Sequence, residues 1–179
     1  MNKKVLVLSG SPRIKGNSDI LCDEFVKGAK ESNNEVVKIR IAEKNIHPCL
    51  SCYYCSSHNG KCIQNDDMKD ILDKILDSDV IVLSTPVYFY SICSQLKTVI
   101  DRTLARWEEV KNKEFYFIVT MADEDIHSAD TTLACLKGYV DCVDGGLVKG
   151  TIIGNNVYQK GEINNTSKTQ EAYLMGKNI

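Results

Sequence analysis

The chain has 179 residues, a length that fits one domain with its own core. Its 22 lysines and arginines against 24 aspartates and glutamates give a net charge of −2, so the sequence shows no electrostatic sign of a nucleic-acid-binding protein. The apolar run near the start, residues 5–8, is too short for a secretion signal or a membrane span. We therefore expect a cytoplasmic protein with no nucleic-acid or membrane partner, folded as a single domain over residues 1–179.

Five short apolar segments, bounded by Gly, Pro, Asn or Asp, predict β-strands. They span residues 3–10, 35–41, 79–85, 114–120 and 147–154. The first, third and fourth segments are almost entirely apolar, which is typical of parallel strands covered on both faces.

Helical periodicity separates these strands. Apolar residues recur at spacings of three and four in 68–76 and 96–104, and a narrower stripe runs through 18–32. Weaker helical patterns cover 128–143 and 167–178. Strands that alternate with helices predict a three-layer α/β domain with a parallel sheet, in which ligands bind beyond the carboxyl ends of the strands.

The segment after the first strand, SGSPRIKGNSD at 9–19, is rich in hydroxyl and amide side chains. It matches neither the Walker A motif nor the dinucleotide motif GxGxxG, because the required spacings are absent. A helix that begins here would offer free amide N–H groups to an anion, and Arg13 could add a charge-assisted hydrogen bond. We expect a site for one phosphate monoester; the alternative is that Asn17 or Ser18 only caps the helix.

The segment after the third strand, STPVYFYSICSQLK at 84–97, places aromatic residues at the same edge of the sheet. Pro86 restricts the backbone, and Tyr88, Phe89 and Tyr90 follow it. Aromatic walls suit a flat heterocycle, so we favour a ligand site here. The alternative is that these rings are ordinary core or interface residues.

The connection at residues 42–66, which we call the cysteine loop, is far longer than the about 2–6 residues usual in α/β units. Its sequence PCLSCYYCSSHNGKC contains four of the eight cysteines, Cys49, Cys52, Cys55 and Cys62. Three cysteines at two-residue gaps favour a [4Fe–4S] cluster over zinc, which typically uses two separated pairs. Packed thiols remain an alternative, and a disulfide is disfavoured in a reducing compartment.

The other four cysteines fall on or near predicted helices. We expect them to be core thiols, because cysteine is among the most often buried residue types. They are Cys22, Cys93, Cys135 and Cys142.

Three segments, in this order, resemble the flavodoxin-like NAD(P)H-dependent FMN reductase superfamily, and most of all its iron–sulfur flavoprotein branch. They are GSPRIKGNS, then IHPCLSCYYC with GKCIQNDDM, then SDVIVLSTPVYFYSICSQLKTVIDR. The resemblance covers residues 3–106 and 161–179. It implies a flavodoxin-like three-layer sandwich with a five-stranded parallel sheet in the order 2-1-3-4-5, bound FMN, and a homodimer or homotetramer.

The resemblance also implies site residues. The FMN phosphate would be bound by Ser11, Arg13, Asn17 and Ser18. The isoalloxazine would be bordered by Pro86, Val87, Tyr88, Phe89 and Tyr90, with the loop 120–125 at the remaining edge.

The function implied is that of an FMN-dependent oxidoreductase, with or without the cluster. It would take hydride from NAD(P)H and reduce a flavin, a quinone or a redox protein. Because the flavin carries the chemistry, we assign no catalytic side chain. Two alternatives stay open: a flavodoxin-type electron carrier, for which a net charge of −2 gives little electrostatic steering, and a zinc-binding or thiol redox sensor without reductase activity.

Overall fold

In the computed structural model, which describes residues 2–179, five parallel strands form one sheet in the order β2-β1-β3-β4-β5. The strands are β1 (Lys4–Ser9), β2 (Glu35–Arg40), β3 (Val80–Pro86), β4 (Glu114–Thr120) and β5 (Leu147–Gly154). Each lies within one residue of its predicted bounds. The strand order and the parallel pairing confirm the predicted flavodoxin-like sheet.

Six α-helices occur within residues 2–179. They are α1 (Asn17–Glu31), α2 (Tyr54–Ser57), α3 (Met68–Asp77), α4 (Ser94–Arg102), α5 (Asp130–Asp141) and α6 (Lys168–Lys177). Five match the predicted helices, whereas no pattern predicts α2, since a single turn is too short to show periodicity. None of the six is long and apolar enough to cross a lipid bilayer.

Side chains alternate along the strands between two cores. On β1, Leu6 and Leu8 belong to the core under α3, α4 and α5, whereas Val5 and Val7 belong to the core under α1 and α6. The sheet is therefore buried on both faces, as the apolar strand sequences predict.

The two helices of the second layer, α1 and α6, cross at close range. A Cβ on Gly28 of α1 would collide with the backbone of Tyr173 on α6, and a Cβ on Gly176 would collide with the backbone of Phe25. This contact fixes α1, whose first residue ends the loop after β1, against the last helix of the fold.

Candidate functional site

The loops that follow the five strands meet at one edge of the sheet, because all strands run in the same direction. They include residues 10–16 after β1, the cysteine loop after β2, 87–93 after β3 and 121–129 after β4. Every residue that the sequence predicts to bind FMN or a metal lies at this edge.

The loop between β1 and α1 leads into a helix start that lacks a side-chain cap. Gly16 is the N-cap of α1 and has no side chain to accept from the first-turn N–H groups. Ser11 and Ser18 are buried beside it, and Ser11 Oγ accepts a hydrogen bond from the Arg13 N–H at 3.2 Å. Uncapped amides at the positive end of a helix favour an anion, such as a phosphate, at this position.

Gly10 holds this loop tightly against the centre of the sheet. Its N–H donates to the Ser84 carbonyl on β3 at 2.9 Å, and its carbonyl accepts from Cys93 Sγ at 3.3 Å. A Cβ on Gly10 would lie 2.7 Å from Cys93 Sγ and 2.8 Å from the Ser84 oxygen, so a side chain would push the loop outward. Sequence reasoning did not assign this role, although a glycine directly after a buried strand is a signal for close packing.

The side-chain amide of Asn17 forms hydrogen bonds with the protein backbone. Its Nδ2 donates to the carbonyls of Val157 and Gln159 at 3.3 and 2.9 Å, and its Oδ1 accepts from the N–H groups of Gly161 and Ile163 at 3.0 and 3.3 Å. The predicted phosphate contact of Asn17 would therefore come from its backbone N–H, while its amide joins α1 to the segment after β5.

Arg13 lies exposed at the mouth of the same loop. Its Nη1 donates to the Tyr158 carbonyl at 3.1 Å, which draws the guanidinium across the space between the loops after β1 and β5. A guanidinium carries five N–H donors, so one bond leaves the others for an anionic ligand.

Asp19 supports the loop from beneath, a role that the sequence does not reveal. Its buried carboxylate accepts from the Lys15 N–H at 2.8 Å and from Ser9 Oγ at 3.2 Å, and it forms ion pairs with Lys38 at 2.6 Å and Arg40 at 3.5 Å. Burial alone would raise the pKa of Asp19, but the hydrogen bonds from Lys38 and Lys15 outweigh it and hold the pKa below its usual value. The carboxylate stays charged and pins the loop.

The aromatic residues after β3 form an exposed two-residue hairpin. Tyr88 and Ser91 exchange two backbone hydrogen bonds of 3.0 Å, and the residues between them, Phe89 and Tyr90, have φ of +48° and +61°. Such a turn normally carries Asn-Gly, so the two bulky residues strain the backbone here, and strain of this kind clusters at functional sites. Phe89 is fully exposed, and Tyr88 and Tyr90 are 42% and 59% exposed. The three rings are not core residues.

The base of this hairpin contacts the end of β4. Pro86 pairs with Thr120 in the sheet, and the Val87 N–H donates to the Thr120 carbonyl at 2.8 Å. The following loop is closed by Asp123, whose carboxylate accepts from Ser128 Oγ at 2.7 Å; this hydrogen bond lowers the pKa of Asp123. The loops 86–90 and 120–125 therefore lie side by side at this edge of the sheet, joined by a backbone hydrogen bond.

The cysteine loop narrows to a neck where its two ends run side by side. Asn45 N–H donates to Asp67 Oδ2 at 2.8 Å, Asp67 N–H donates back to the Asn45 carbonyl at 3.0 Å, and His47 N–H donates to Asp66 Oδ2 at 3.0 Å. A loop with its ends held together in this way is a compact surface element of the kind that is frequently functional.

The four cysteines predicted as metal ligands lie in the lobe beyond this neck. Cys49 and Cys52 are exposed, Cys55 and Cys62 are half-buried, and all four thiols are free. Four accessible thiols in one loop fit an iron–sulfur cluster in kind and number. Their positions do not form a site, since no three His, Cys, Asp or Glu side chains within residues 2–179 converge to hold a metal ion.

The remaining cysteines are less uniform than the sequence suggests. Cys22 and Cys93 are buried, Cys135 is half-buried, and Cys142 is exposed. The prediction of a core thiol is wrong for Cys142, because this C-cap residue of α5 faces solvent while its neighbours Val140 and Val143 fill the core. Burial raises the pKa of the Cys22 thiol to about 11, so this thiol is unreactive at neutral pH.

Residues 3–140 match the family described as NADPH-dependent FMN reductase. The chain belongs to this family. Among curated proteins, an iron–sulfur flavoprotein of Methanocaldococcus jannaschii is 40% identical over 100 residues, which cover 56% of this chain and 51% of that protein. The chain spans about half the length of the curated relatives it matches.

Solved structures show the same fold. The NAD(P)H:quinone oxidoreductase from Methanothermobacter marburgensis has a TM-score of 0.75 at 16% identity, over 99% of this chain and 96% of that one. An FMN-dependent NADH-azoreductase from Bacillus anthracis, in complex with FMN, has a TM-score of 0.74 at 15% identity, over 98% of both chains. At these identities the likeness establishes the flavodoxin-like architecture alone.

Proposed function

We propose that this protein is an FMN-dependent oxidoreductase that takes hydride from NAD(P)H and reduces a small-molecule or redox-protein acceptor, such as a flavin or a quinone. The observation that carries the proposal is the uncapped, buried start of α1 directly behind the central strand β1. This arrangement suits one terminal phosphate, and membership in the NADPH-dependent FMN reductase family supports FMN as the phosphate-bearing ligand.

The proposed FMN site binds the phosphate group through hydrogen bonds and through one positive charge. Ser11, Ser18 and the backbone N–H of Asn17 would bind the phosphate, and Arg13 would neutralise part of its charge. When bound, FMN supplies the hydride and electron chemistry. The protein orients it, and no side chain is assigned as acid or base.

The strained hairpin after β3 is proposed to form one wall of the flavin site. Pro86, Val87, Tyr88, Phe89 and Tyr90 would border the isoalloxazine and exclude water from one of its edges. Aromatic and apolar surfaces of this kind are the usual lining of sites for flat heterocycles.

We also propose that the cysteine loop binds one [4Fe–4S] cluster through Cys49, Cys52, Cys55 and Cys62. The spacing of these cysteines supports this, as does the 40% identity to a protein named an iron–sulfur flavoprotein. Two of the sulfurs already accept hydrogen bonds: Cys49 Sγ from the Ser51 N–H at 3.4 Å, and Cys62 Sγ from Arg102 Nη2 at 3.5 Å. Such hydrogen bonds stabilise sulfur ligands. Ligation would require the loop to draw the four thiols together.

The proposal includes a homodimer or homotetramer in a reducing, cytoplasmic setting. Phe89 at the hairpin tip is fully exposed, and a large ring in that position gains from being covered by a ligand or a second copy. All eight cysteines are free, as is usual for proteins in the cytoplasm.

Flavin binding is tested by titrating the apoprotein with FMN and with FAD and following quenching of flavin fluorescence. We expect saturation at about one FMN per chain and weaker binding of FAD, because the loop after β1 suits one phosphate. Arg13→Ala should weaken FMN binding by about 1–3 kcal/mol, the range for a hydrogen bond to a charged group. Lys137→Ala, which removes an exposed lysine from α5 in the other layer, is the matched control. Stoichiometric FAD binding, or no flavin binding, contradicts the proposal.

The cluster is tested by anaerobic reconstitution followed by iron and sulfide analysis. We expect about four irons and four sulfides per chain, and clear loss with Cys52→Ala but not with Cys135→Ala, whose thiol lies on α5. Equal iron uptake by Cys52→Ala, or binding of zinc without sulfide, would contradict the cluster; the zinc result would favour the sensor alternative.

A further inference from the structure

Arg102 joins both ends of the cysteine loop. It is the last residue of α4, and its side chain is 3% exposed. Its Nη1 donates to the His47 carbonyl at 2.6 Å and to Asp66 Oδ2 at 2.7 Å, and its Nη2 donates to Asp66 Oδ1 at 2.9 Å and to Cys62 Sγ at 3.5 Å. One buried guanidinium therefore contacts the start of the loop, its end and one of its cysteines.

Asp66 completes this arrangement from the other side. Its carboxylate, 1% exposed, receives both guanidinium nitrogens in a bidentate pair and also accepts from the N–H groups of His47 and Met68 at 3.0 and 3.2 Å. Asp66 thus links the neck of the loop to the first residue of α3, while Arg102 links the neck to the end of α4. The neck is anchored to two helices of the core by one ion pair.

A buried ion pair is a costly way to gain stability, since desolvation of two charges can exceed their attraction. The presence of such a pair is better explained when it holds a segment of the chain in one conformation. Here the geometry fixed is that of a loop whose cysteines are the proposed ligands, and the guanidinium nitrogen on Cys62 is a hydrogen-bond donor aimed at one of those sulfurs. Hydrogen bonds to ligand sulfur raise the reduction potential of an iron–sulfur cluster.

We propose that Arg102 is the positioning residue of the cysteine loop: paired with Asp66 it holds the two ends of the loop side by side, and through Nη2 it orients the sulfur of Cys62. The neck contacts stand on their own, whereas the effect on Cys62 as a ligand rests on the proposed cluster. Lysine cannot replace this arginine, because a single ammonium cannot keep the bidentate bond to Asp66 together with the bonds to His47 and Cys62.

The first test uses the apoprotein and does not depend on iron. Hydrogen exchange of the segment 45–67 is compared in wild type, Arg102→Lys and Lys97→Gln, a control that removes an exposed ion pair from the same helix. We expect exchange to quicken by roughly tenfold or more in Arg102→Lys, since the anchored amides open more often, and to stay unchanged in Lys97→Gln. Unchanged exchange in Arg102→Lys overturns the positioning role.

The second test follows anaerobic reconstitution and measures the cluster midpoint potential by EPR-monitored titration. Arg102→Lys should show a lower potential and a smaller loaded fraction than wild type, because the donor to Cys62 is lost; a wild-type potential overturns the role at Cys62. If the wild type itself binds no iron, the cluster proposal fails, and with it the role of Cys62 as a ligand. The hydrogen-exchange result still shows whether Arg102 holds the two ends of the cysteine loop together. If Arg102→Lys does not fold, the charge-neutral Arg102→Gln/Asp66→Asn variant takes its place, with the same expected directions.

Discussion

Gly161 and Asn17 are joined by a hydrogen bond of 3.0 Å, from the Gly161 N–H to Asn17 Oδ1, across 144 positions of sequence. Three further bonds connect the same amide to the segment after β5. The first helical residue of α1 is therefore locked to a loop at the opposite end of the chain, and the phosphate-binding geometry proposed for residues 11–18 depends on that lock.

Replacing Asn17 should destabilise the protein and disturb its phosphate loop together. Asn17→Ala leaves buried N–H and carbonyl groups without partners, so we expect a loss of about 1–3 kcal/mol in the free energy of unfolding, measured in urea, and weaker FMN binding. Asn155→Ala removes a single hydrogen bond to the Glu124 carbonyl in the neighbouring loop and serves as the control. Losses of equal size in the two variants would contradict the central role of Asn17.

A side chain at Gly10 should be poorly tolerated. Gly10→Ala places a methyl group against Cys93 Sγ and the Ser84 carbonyl, so we expect a loss of about 1–3 kcal/mol in unfolding free energy from overpacking, and reduced FMN affinity. Gly138→Ala on α5 is the matched control, because its added Cβ meets no atom within 4 Å other than its chain neighbours and the backbone of its own helix. That change should stabilise the helix by about 0.5–1 kcal/mol. A Gly10→Ala variant as stable as wild type would show that the loop can move freely.

Relieving the strain in the hairpin at Phe89 and Tyr90 should stabilise the apoprotein and weaken FMN binding. Phe89→Asn/Tyr90→Gly installs the residues that a turn with two positive φ angles prefers, so the apoprotein should become more stable by about 1 kcal/mol or more in urea. The same change removes two aromatic walls and should weaken FMN binding. If stability rises while FMN affinity is unchanged, the hairpin does not belong to the flavin site.

Asp66 should add an acid-dependent component to stability. Burial would raise its pKa, but the hydrogen bonds from Arg102 and from backbone N–H groups hold the pKa at about 2, below its usual 3.8. A depressed pKa contributes stability that is fully present above about pH 4 and is lost as the pH falls towards 2, here at most about 2 kcal/mol. Urea unfolding of wild type between pH 5 and 2 should therefore show a steeper loss than that of Asp66→Asn. Parallel curves would contradict the pairing with Arg102.

The sequence predicts the architecture well because its signals are local. Apolar runs such as residues 79–85 identify strands that are buried on both faces, and helical periodicity at 68–76 identifies the face of α3 that packs on the sheet. The strand order, by contrast, is predicted only by the family resemblance, since spacing alone does not determine which strands are neighbours.

The site residues that the sequence missed depend on contacts between distant segments. In the sequence Asp19 resembles any acid in a first helical turn, and only the fold brings it into ion pairs with Lys38 and Arg40 of strand β2. In the sequence Arg102 resembles any basic residue at a helix end, and only the fold shows that it pairs with Asp66. Such pairs carry no local pattern, and the same reason explains why the side chain of Asn17 could not be separated from its backbone N–H as a phosphate ligand.

The most direct test of the proposed function is anaerobic titration of the FMN-loaded protein with NADPH and with NADH, followed at the flavin absorption band. We expect at least one of these nucleotides to bleach the flavin fully, at about one equivalent per FMN, because hydride transfer delivers two electrons. If dithionite reduces the bound flavin while millimolar NADPH and NADH leave it oxidised, the reductase assignment is contradicted, and the protein is an electron carrier instead.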